Sequence, residues 1–335
     1  METTTPDRNL ALDLVRVTEA AAMAAGRYMG RNEKNESDAA AVEAMRVVLN
    51  SIDMNGVVII GEGEKDEAPM LYNGEKLGTG QPPEVDIAVD PIDGTRLLAL
   101  GRANSLATVA LADRGSMFDP GPFVYMDKIA VGPEAKGAVS LEATPTENLK
   151  AIAHAKKKRI SDVTVVILDR PRHEKLIAEV RAAGARIRLI TDGDVAGALM
   201  TARPESGIDV LMGVGGSPEA VLAACALKAM GGDIQGKLYP RNNDEIERGH
   251  ALGYDFHKIL SIDDLVSSDN CFFAATGITD GELLEGVKYY PDGARTHSLV
   301  MRSRSGTVRE VIARHRWEKL MQYSPIPYSD PIPDI

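Results

Sequence analysis

The stretch D-V-L-M-G-V-G-G-S-P-E-A-V-L-A-A-C-A-L-K-A-M, residues 209–230, limits what this chain can become more than any other. Residues 209–214 are an apolar run that suits a buried strand. Gly215-Gly216-Ser217-Pro218 ends the run, and 219–230 is an alanine-rich helical segment with Pro218 near its first turn. Strand, glycine turn and capped helix in that order is the unit of α/β proteins.

The same alternation recurs along the chain. Residues 6–29 read as a helix, with Pro6 at the first helical position and Leu10, Leu14, Val17, Ala21 and Ala24 at helical spacing. A polar stretch, 31–38, leads into a second helix with Ser37 or Asp38 near its cap. Strands are expected at 57–60, 85–89, 106–111, 163–168 and 187–190. The order predicts an α/β fold of two packed subdomains with helices covering sheets, which 335 residues can supply. The softest stretch, 137–146, divides the chain near residue 150, into 1–150 and 151–335. The proline-rich tail from Ser324 reads as an extended arm able to pack back on the first half.

Charge and composition exclude several functions. The net charge of -11 carries no basic stripe, which argues against nucleic acid. Lys156-Lys157-Lys158-Arg159 is the one basic cluster and reads as a solvated helix end. No apolar run approaches the roughly 20 residues of a membrane span, and no signal peptide is visible. Cys225 and Cys271 match no zinc spacing and read as reduced, structural residues of a cytoplasmic protein.

The chemistry concentrates in V-D-I-A-V-D-P-I-D-G-T-R, residues 85–96. Alternation marks a half-buried strand that Pro91 is expected to stop. Asp90 and Asp93 then stand at its end, with Gly94 permitting a tight turn whose N–H groups suit a phosphate. Further acids cluster at 33–38 and 62–67 and at Glu219, after strands or at helix starts, where α/β proteins build sites. Crowded carboxylates repel unless they protonate or bind a cation, and oxygen donors without histidine suit Mg²⁺ or Mn²⁺ rather than zinc.

With these residues in view, the chain resembles the class II fructose-1,6-bisphosphatases, a branch of the lithium-sensitive, metal-dependent sugar phosphatases. D-P-I-D-G-T is shared across that superfamily. The narrower match rests on G-E-G-E-K-D-E-A-P-M-L-Y (61–72), D-R-P-R-H (169–173), D-G-D-V-A (192–196) and G-V-G-G-S-P-E (213–219), in register from about residue 8 to 315.

The resemblance implies a layered α/β sugar-phosphatase fold and removal of the 1-phosphate of D-fructose 1,6-bisphosphate, a gluconeogenic step, by a metal-activated water. It implies two or more divalent cations, Mg²⁺ or Mn²⁺, with Asp38 and Glu62 on one and Asp90, Asp93 and Glu219 on another. Thr95 matches the residue that orients the water, making Thr95, Asp38 and Glu62 the catalytic set. Asp93, Gly94 and Thr95 face the leaving phosphate. Tyr125, Arg170, Pro171, Arg172, Asp192, Gly193, Asp194 and Gly216 match positions that hold the rest of the sugar bisphosphate, the first half cleaving and the second half binding. A guanidinium fork suits a phosphate that is held but not cleaved. A homodimer or homotetramer fits the family.

Two departures touch backbone geometry rather than ligands: Asn32 and Ala220 stand where members often have glycine. The alternatives are sedoheptulose-1,7-bisphosphatase or dual activity, inositol monophosphatase, and a non-catalytic sugar-phosphate sensor. A dinucleotide enzyme is disfavoured, because G-V-G-G-S-P lacks the G-x-G-x-x-G pattern.

Overall fold

The computed structural model describes residues 8–62, 71–322 and 324–328. Among them the strands form two mixed sheets. The first, eight-stranded, contains β1 (Asn55–Ile60), β2 (Lys76–Leu77), β3 (Glu84–Asp93) and β4 (Leu106–Asp113). The chain then builds a five-stranded sheet from β5 (Tyr125–Val131), β6 (Thr164–Leu168), β7 (Arg186–Ile190), β8 (Val210–Gly216) and β9 (Asp233–Tyr239). It returns to the first sheet for β10 (Phe272–Gly277), β11 (Lys288–Tyr290), β12 (Gly293–Arg302) and β13 (Thr307–Arg316). The orders are β11-β12-β10-β4-β3-β1-β2, with β13 also on β12, and β7-β6-β8-β5-β9.

The helices used below are α1 (Ala11–Ala25), α2 (Lys34–Leu49), α3 (Thr95–Ala99), α4 (Pro145–Ala155), α5 (Glu174–Ala182), α6 (Asp194–Met200), α7 (Ser217–Met230) and α8 (Asn243–Ala251). Three apolar clusters order them into five layers. Leu14 of α1 and Val42 of α2 pack with Val58, Ile87 and Val109 on the outer face of the first sheet. Leu222 and Cys225 of α7 share one cluster with Ala88 and Ala110 of the first sheet and Met126 and Leu211 of the second. Leu149 of α4 and Ile177 of α5 cover the far face of the second sheet, over Ile129 and Val165. Helix α7 is thus buried between two sheets. A helix in that position is apolar all round, and its alanines let both sheets approach closely.

Several boundaries differ from those the sequence suggests. Helix α1 begins at Ala11, where the Asn9 side chain accepts from the Ala11 N–H at 3.0 Å, and it gives way at Gly26 to a 3₁₀ turn. Pro6 lies outside the described residues. Helix α2 begins at Lys34, so Ser37 and Asp38 sit inside it rather than at its cap, and the Ser37 hydroxyl donates back to the Lys34 carbonyl at 2.8 Å. Pro91 does not stop β3, which runs on to Asp93 across an irregularity in its pairing with β4 between Asp90 and Asp93. The basic cluster is not simply solvated. Lys156 and Lys158 both reach the buried Asp209, with Nζ at 2.8 and 2.7 Å from its Oδ1. Of the tail, Ile326 and Tyr328 are buried, and Tyr328 stacks on Trp317. No helix among the described residues is long and apolar enough to cross a membrane.

Candidate active site

Strand alternation sends Ala88 toward α7, and by the same period Asp86 and Asp90 share that face. The break in pairing at Pro91 then brings Asp93 in beside Asp90. Gly94, with φ at 86°, adopts a left-handed conformation closed to most residues and turns the chain into the short helix α3. This places Thr95 directly behind Asp93. Neighbouring strands brace the turn: the Thr108 and Ser105 hydroxyls donate to the Asp90 and Asp93 carbonyls, each at 3.3 Å. The Asp90 carboxylate also accepts from the Ile92 N–H at 3.1 Å.

Other elements converge here. Asp38 reaches in from α2 to lie beside Thr95, whose hydroxyl donates to the Ile92 carbonyl at 3.2 Å. Glu62 follows β1. Glu219 occupies the first turn of α7. Asp192, Gly193 and Asp194 repeat the geometry of Asp93-Gly94-Thr95: Gly193 has φ at 82° and opens α6. Asp93, only 3% exposed, accepts from the Ala196 N–H of that helix.

The electrostatics follow from burial and like charge. Burial, with Asp93, Glu62 and Glu219 nearby, raises Asp90 well above the usual carboxylate range. Burial, with Asp194, Glu219 and Asp192, does the same to Asp93. Glu62 is pushed up to about 7 by burial and by Asp38. Glu219 is pushed up to about 7 by burial and by Asp194, against the opposing pull of Lys128. Asp38 is raised by burial against the opposing pull of Thr95 and Lys34. Buried Asp93 Oδ2, Glu219 Oε2 and Ser217 Oγ have no hydrogen-bond partner.

Buried polar atoms are nearly always satisfied, so three orphans in one place point to a ligand. Among the described residues, no three histidines, cysteines or acids close on a point that would by itself hold a metal. The donor set still fits a hard divalent cation: carboxylate oxygens that repel one another, two of them unpartnered, without thiolate or imidazole.

On the other side of the acids, Tyr125 opens β5 and pairs with Gly216 on one flank. The Arg172 guanidinium lies 4.7 Å from the Tyr125 ring centroid, and Arg170 stands near Asp192. Pro171 begins the 3₁₀ turn that carries Arg172, and Arg170 is the residue before it. His173 clamps this turn: its Nδ1 lies 2.6 Å from the Leu168 carbonyl, and its Nε2 accepts from the Val214 N–H at 2.8 Å. The fold therefore gathers the acids, Thr95 and the arginine turn into one region. Glu64, Asp66 and Glu67 of the acidic stretch lie outside the described residues.

Two residues here have no signal in the motifs. Lys128 is buried, with Nζ 2.5 Å from Asp194 Oδ2 and 2.9 Å from the Gly216 carbonyl. Arg241, just beyond β9, has its guanidinium carbon 5.8 Å from the Tyr125 centroid. A lysine in an alternating strand reads as solvated until the second sheet shows which face it occupies.

The model of the bacterial, glpX-encoded fructose-1,6-bisphosphatase family matches residues 8–315. Fructose-1,6-bisphosphatase 1 class 2 of Escherichia coli strain K12 is 45% identical over 321 residues, covering 92% of this chain and 95% of that protein. The class 2 fructose-1,6-bisphosphatases of Escherichia coli O6:H1 and Shigella flexneri match with the same identity and coverage. The chain belongs to the bacterial, glpX-encoded fructose-1,6-bisphosphatases.

Proposed function

We propose that the protein hydrolyses the 1-phosphate of D-fructose 1,6-bisphosphate, giving fructose 6-phosphate and phosphate, as a gluconeogenic enzyme of the cytoplasm acting as a homodimer or homotetramer. The observation that carries the site assignment is the set of orphaned oxygens on Asp93, Ser217 and Glu219, among carboxylates displaced upward by their own crowding.

Asp38, Glu62, Asp90, Asp93 and Glu219 would hold two or more divalent cations, Mg²⁺ or Mn²⁺, which when bound neutralise phosphoryl oxygens and lower the pKa of water. The Thr95 hydroxyl donates to the Ile92 carbonyl, which leaves its oxygen free to accept from the attacking water and fix that water's direction beside Asp38. Asp38, beside that hydroxyl, and Glu62 complete the catalytic set with Thr95. The backbone at Gly94 and Thr95 faces the departing phosphate. Arg170, Arg172 and Tyr125 hold the far end of the sugar, and Asp192 and Asp194 accept from its hydroxyls. In this reading the first sheet and α2 cleave, and the loops after β6, β7 and β8 bind.

The test is phosphate release from fructose 1,6-bisphosphate with Mg²⁺ or Mn²⁺, repeated in EDTA, with sedoheptulose 1,7-bisphosphate and inositol 1-phosphate alongside. Release is expected from the fructose compound, abolished by chelation and restored by added metal. The sedoheptulose lane reports whether the enzyme has a second substrate. Thr95→Val should keep KM and lower kcat by roughly 10²-fold. A folded, metal-supplied protein that releases no phosphate would overturn the reading, and a normal rate in Thr95→Val would end that residue's role.

A further inference from the structure

We propose that Arg241 is a specificity-determining residue that grips the phosphate the enzyme does not cleave, an inference that rests on the bisphosphatase reading above. Three loops meet at Tyr125. Tyr125 pairs with Gly216 of β8 on one flank and with Tyr239 of β9 on the other, and Arg241 follows β9 by two residues. Both Arg172 and Arg241 lie over the Tyr125 ring, with guanidinium carbons 4.7 and 5.8 Å from its centroid.

The two arginines are not equally available. Arg172 turns Nε and Nη2 onto the Val214 carbonyl, at 3.1 and 2.7 Å, so that edge of its fork is engaged by the protein. Arg241 is instead set in place from behind. Glu245, only 3% exposed, sits one helical turn later in α8. Its Oε1 receives Nε and Nη2 of Arg241, each at 2.5 Å, and its Oε2 receives the Arg241 backbone N–H at 2.7 Å. Asn242 caps α8 by accepting from the Glu245 N–H at 2.9 Å, which fixes the carboxylate's own position. The Arg241 side chain remains 46% exposed, so its other N–H groups face outward.

A guanidinium anchored along one edge and open on the other is preorganised to hydrogen-bond a phosphate, with little rotamer freedom left to lose on binding. The Arg241–Glu245 pair is close to neutral and supplies donors, while Arg170 and Arg172 supply the net positive charge. Arg241 belongs to the end of the site defined by Tyr125 and Arg172 rather than by Thr95 and Asp38. It therefore discriminates between substrates with and without a second phosphate, and leaves bond cleavage to the acids.

The experiment compares wild type, Arg241→Ala and Glu245→Gln in two readouts: steady-state kinetics at saturating Mg²⁺ on fructose 1,6-bisphosphate and fructose 1-phosphate, and calorimetric binding of fructose 6-phosphate. Arg241→Ala should raise KM for the bisphosphate about 10- to 100-fold with kcat little changed, and weaken fructose 6-phosphate binding similarly. Slow turnover of the monophosphate should be unaffected, and Glu245→Gln should show a smaller loss of the same kind. An unchanged KM, or equal losses on both phosphates, would overturn the proposal. If wild type cleaves neither compound, the proposed activity fails, and calorimetry alone decides on Arg241: weakened binding in the variant supports it, and unchanged binding or none by wild type refutes it.

Discussion

Two buried carboxylates outside the active site show how context decides what a single residue does. Asp86 is fully buried, yet its Oδ2 accepts from the N–H groups of Ser116 and Met117 at 2.8 and 3.1 Å, and Arg114 Nε stands 3.5 Å from Oδ1. It holds the turn after β4, with the Arg114 guanidinium offsetting its charge while Oδ1 accepts no hydrogen bond. Glu19 of α1 is 7% exposed and accepts from the Thr296 hydroxyl at 3.0 Å, with His315 Nε2 at 3.7 Å. Burial pushes Glu19 up to about 7 from 4.5, while burial moves His315 downward. The folded chain thus keeps a proton on Glu19 that the unfolded chain has lost. The stability from this is complete below pH 4.5 and disappears as pH rises through 7. Glu19→Gln should therefore raise stability by about 1–3 kcal/mol at pH 8 and by almost nothing at pH 4.5, read from urea midpoints at both values. The motifs made Asp90, Asp93 and Thr95 legible because their spacing is tied to one turn. Lys128 and Arg241 were not legible, since their significance lies in the approach of β5, β8 and β9, which are distant in sequence.

Among the elements, β3 and α2 depart most instructively from a local reading. Proline removes a ladder hydrogen bond, and a chain-stopping role for Pro91 follows from that alone. The sheet instead absorbs it as an irregularity that carries Asp90 and Asp93 into one site. Asn32, two residues before α2, has φ at 60°, the left-handed region where glycine is free and asparagine is tolerated. Asparagine can therefore hold this turn without a glycine. Asn32→Gly should change stability by less than about 0.5 kcal/mol, whereas Asn32→Val should lower it by about 1–2 kcal/mol, since a branched side chain resists that conformation. Equal chemical-denaturation midpoints for the two variants would contradict this. Strands β10 and β13 escaped the sequence reading for opposite reasons. F-F-A-A-T-G is a short, wholly buried run that periodicity cannot assign, and β13 is exposed and rich in arginine.

At the scale of the whole molecule, the decisive part is α7, whose side chains pack on both sheets at once. Neither sheet keeps its inner face covered if that helix is loosened. Leu222→Ala should cost about 2–5 kcal/mol. Fluorescence of Trp317, the single tryptophan, and far-UV circular dichroism should still report one shared transition. Two separated transitions would mean that the sheets unfold independently. The strand–helix alternation made the α/β class legible, but no local signal announces that the chain leaves the first sheet and later comes back. That detour matters during synthesis. Strands β4 and β10 lie side by side, yet residues 114–271 must be made between them. At ribosomal speed this takes on the order of 10–30 s, during which β4 is an open edge that a neighbouring nascent chain can pair with. The strands made last, β10 to β13, therefore act as a closing guard against entanglement on crowded polysomes.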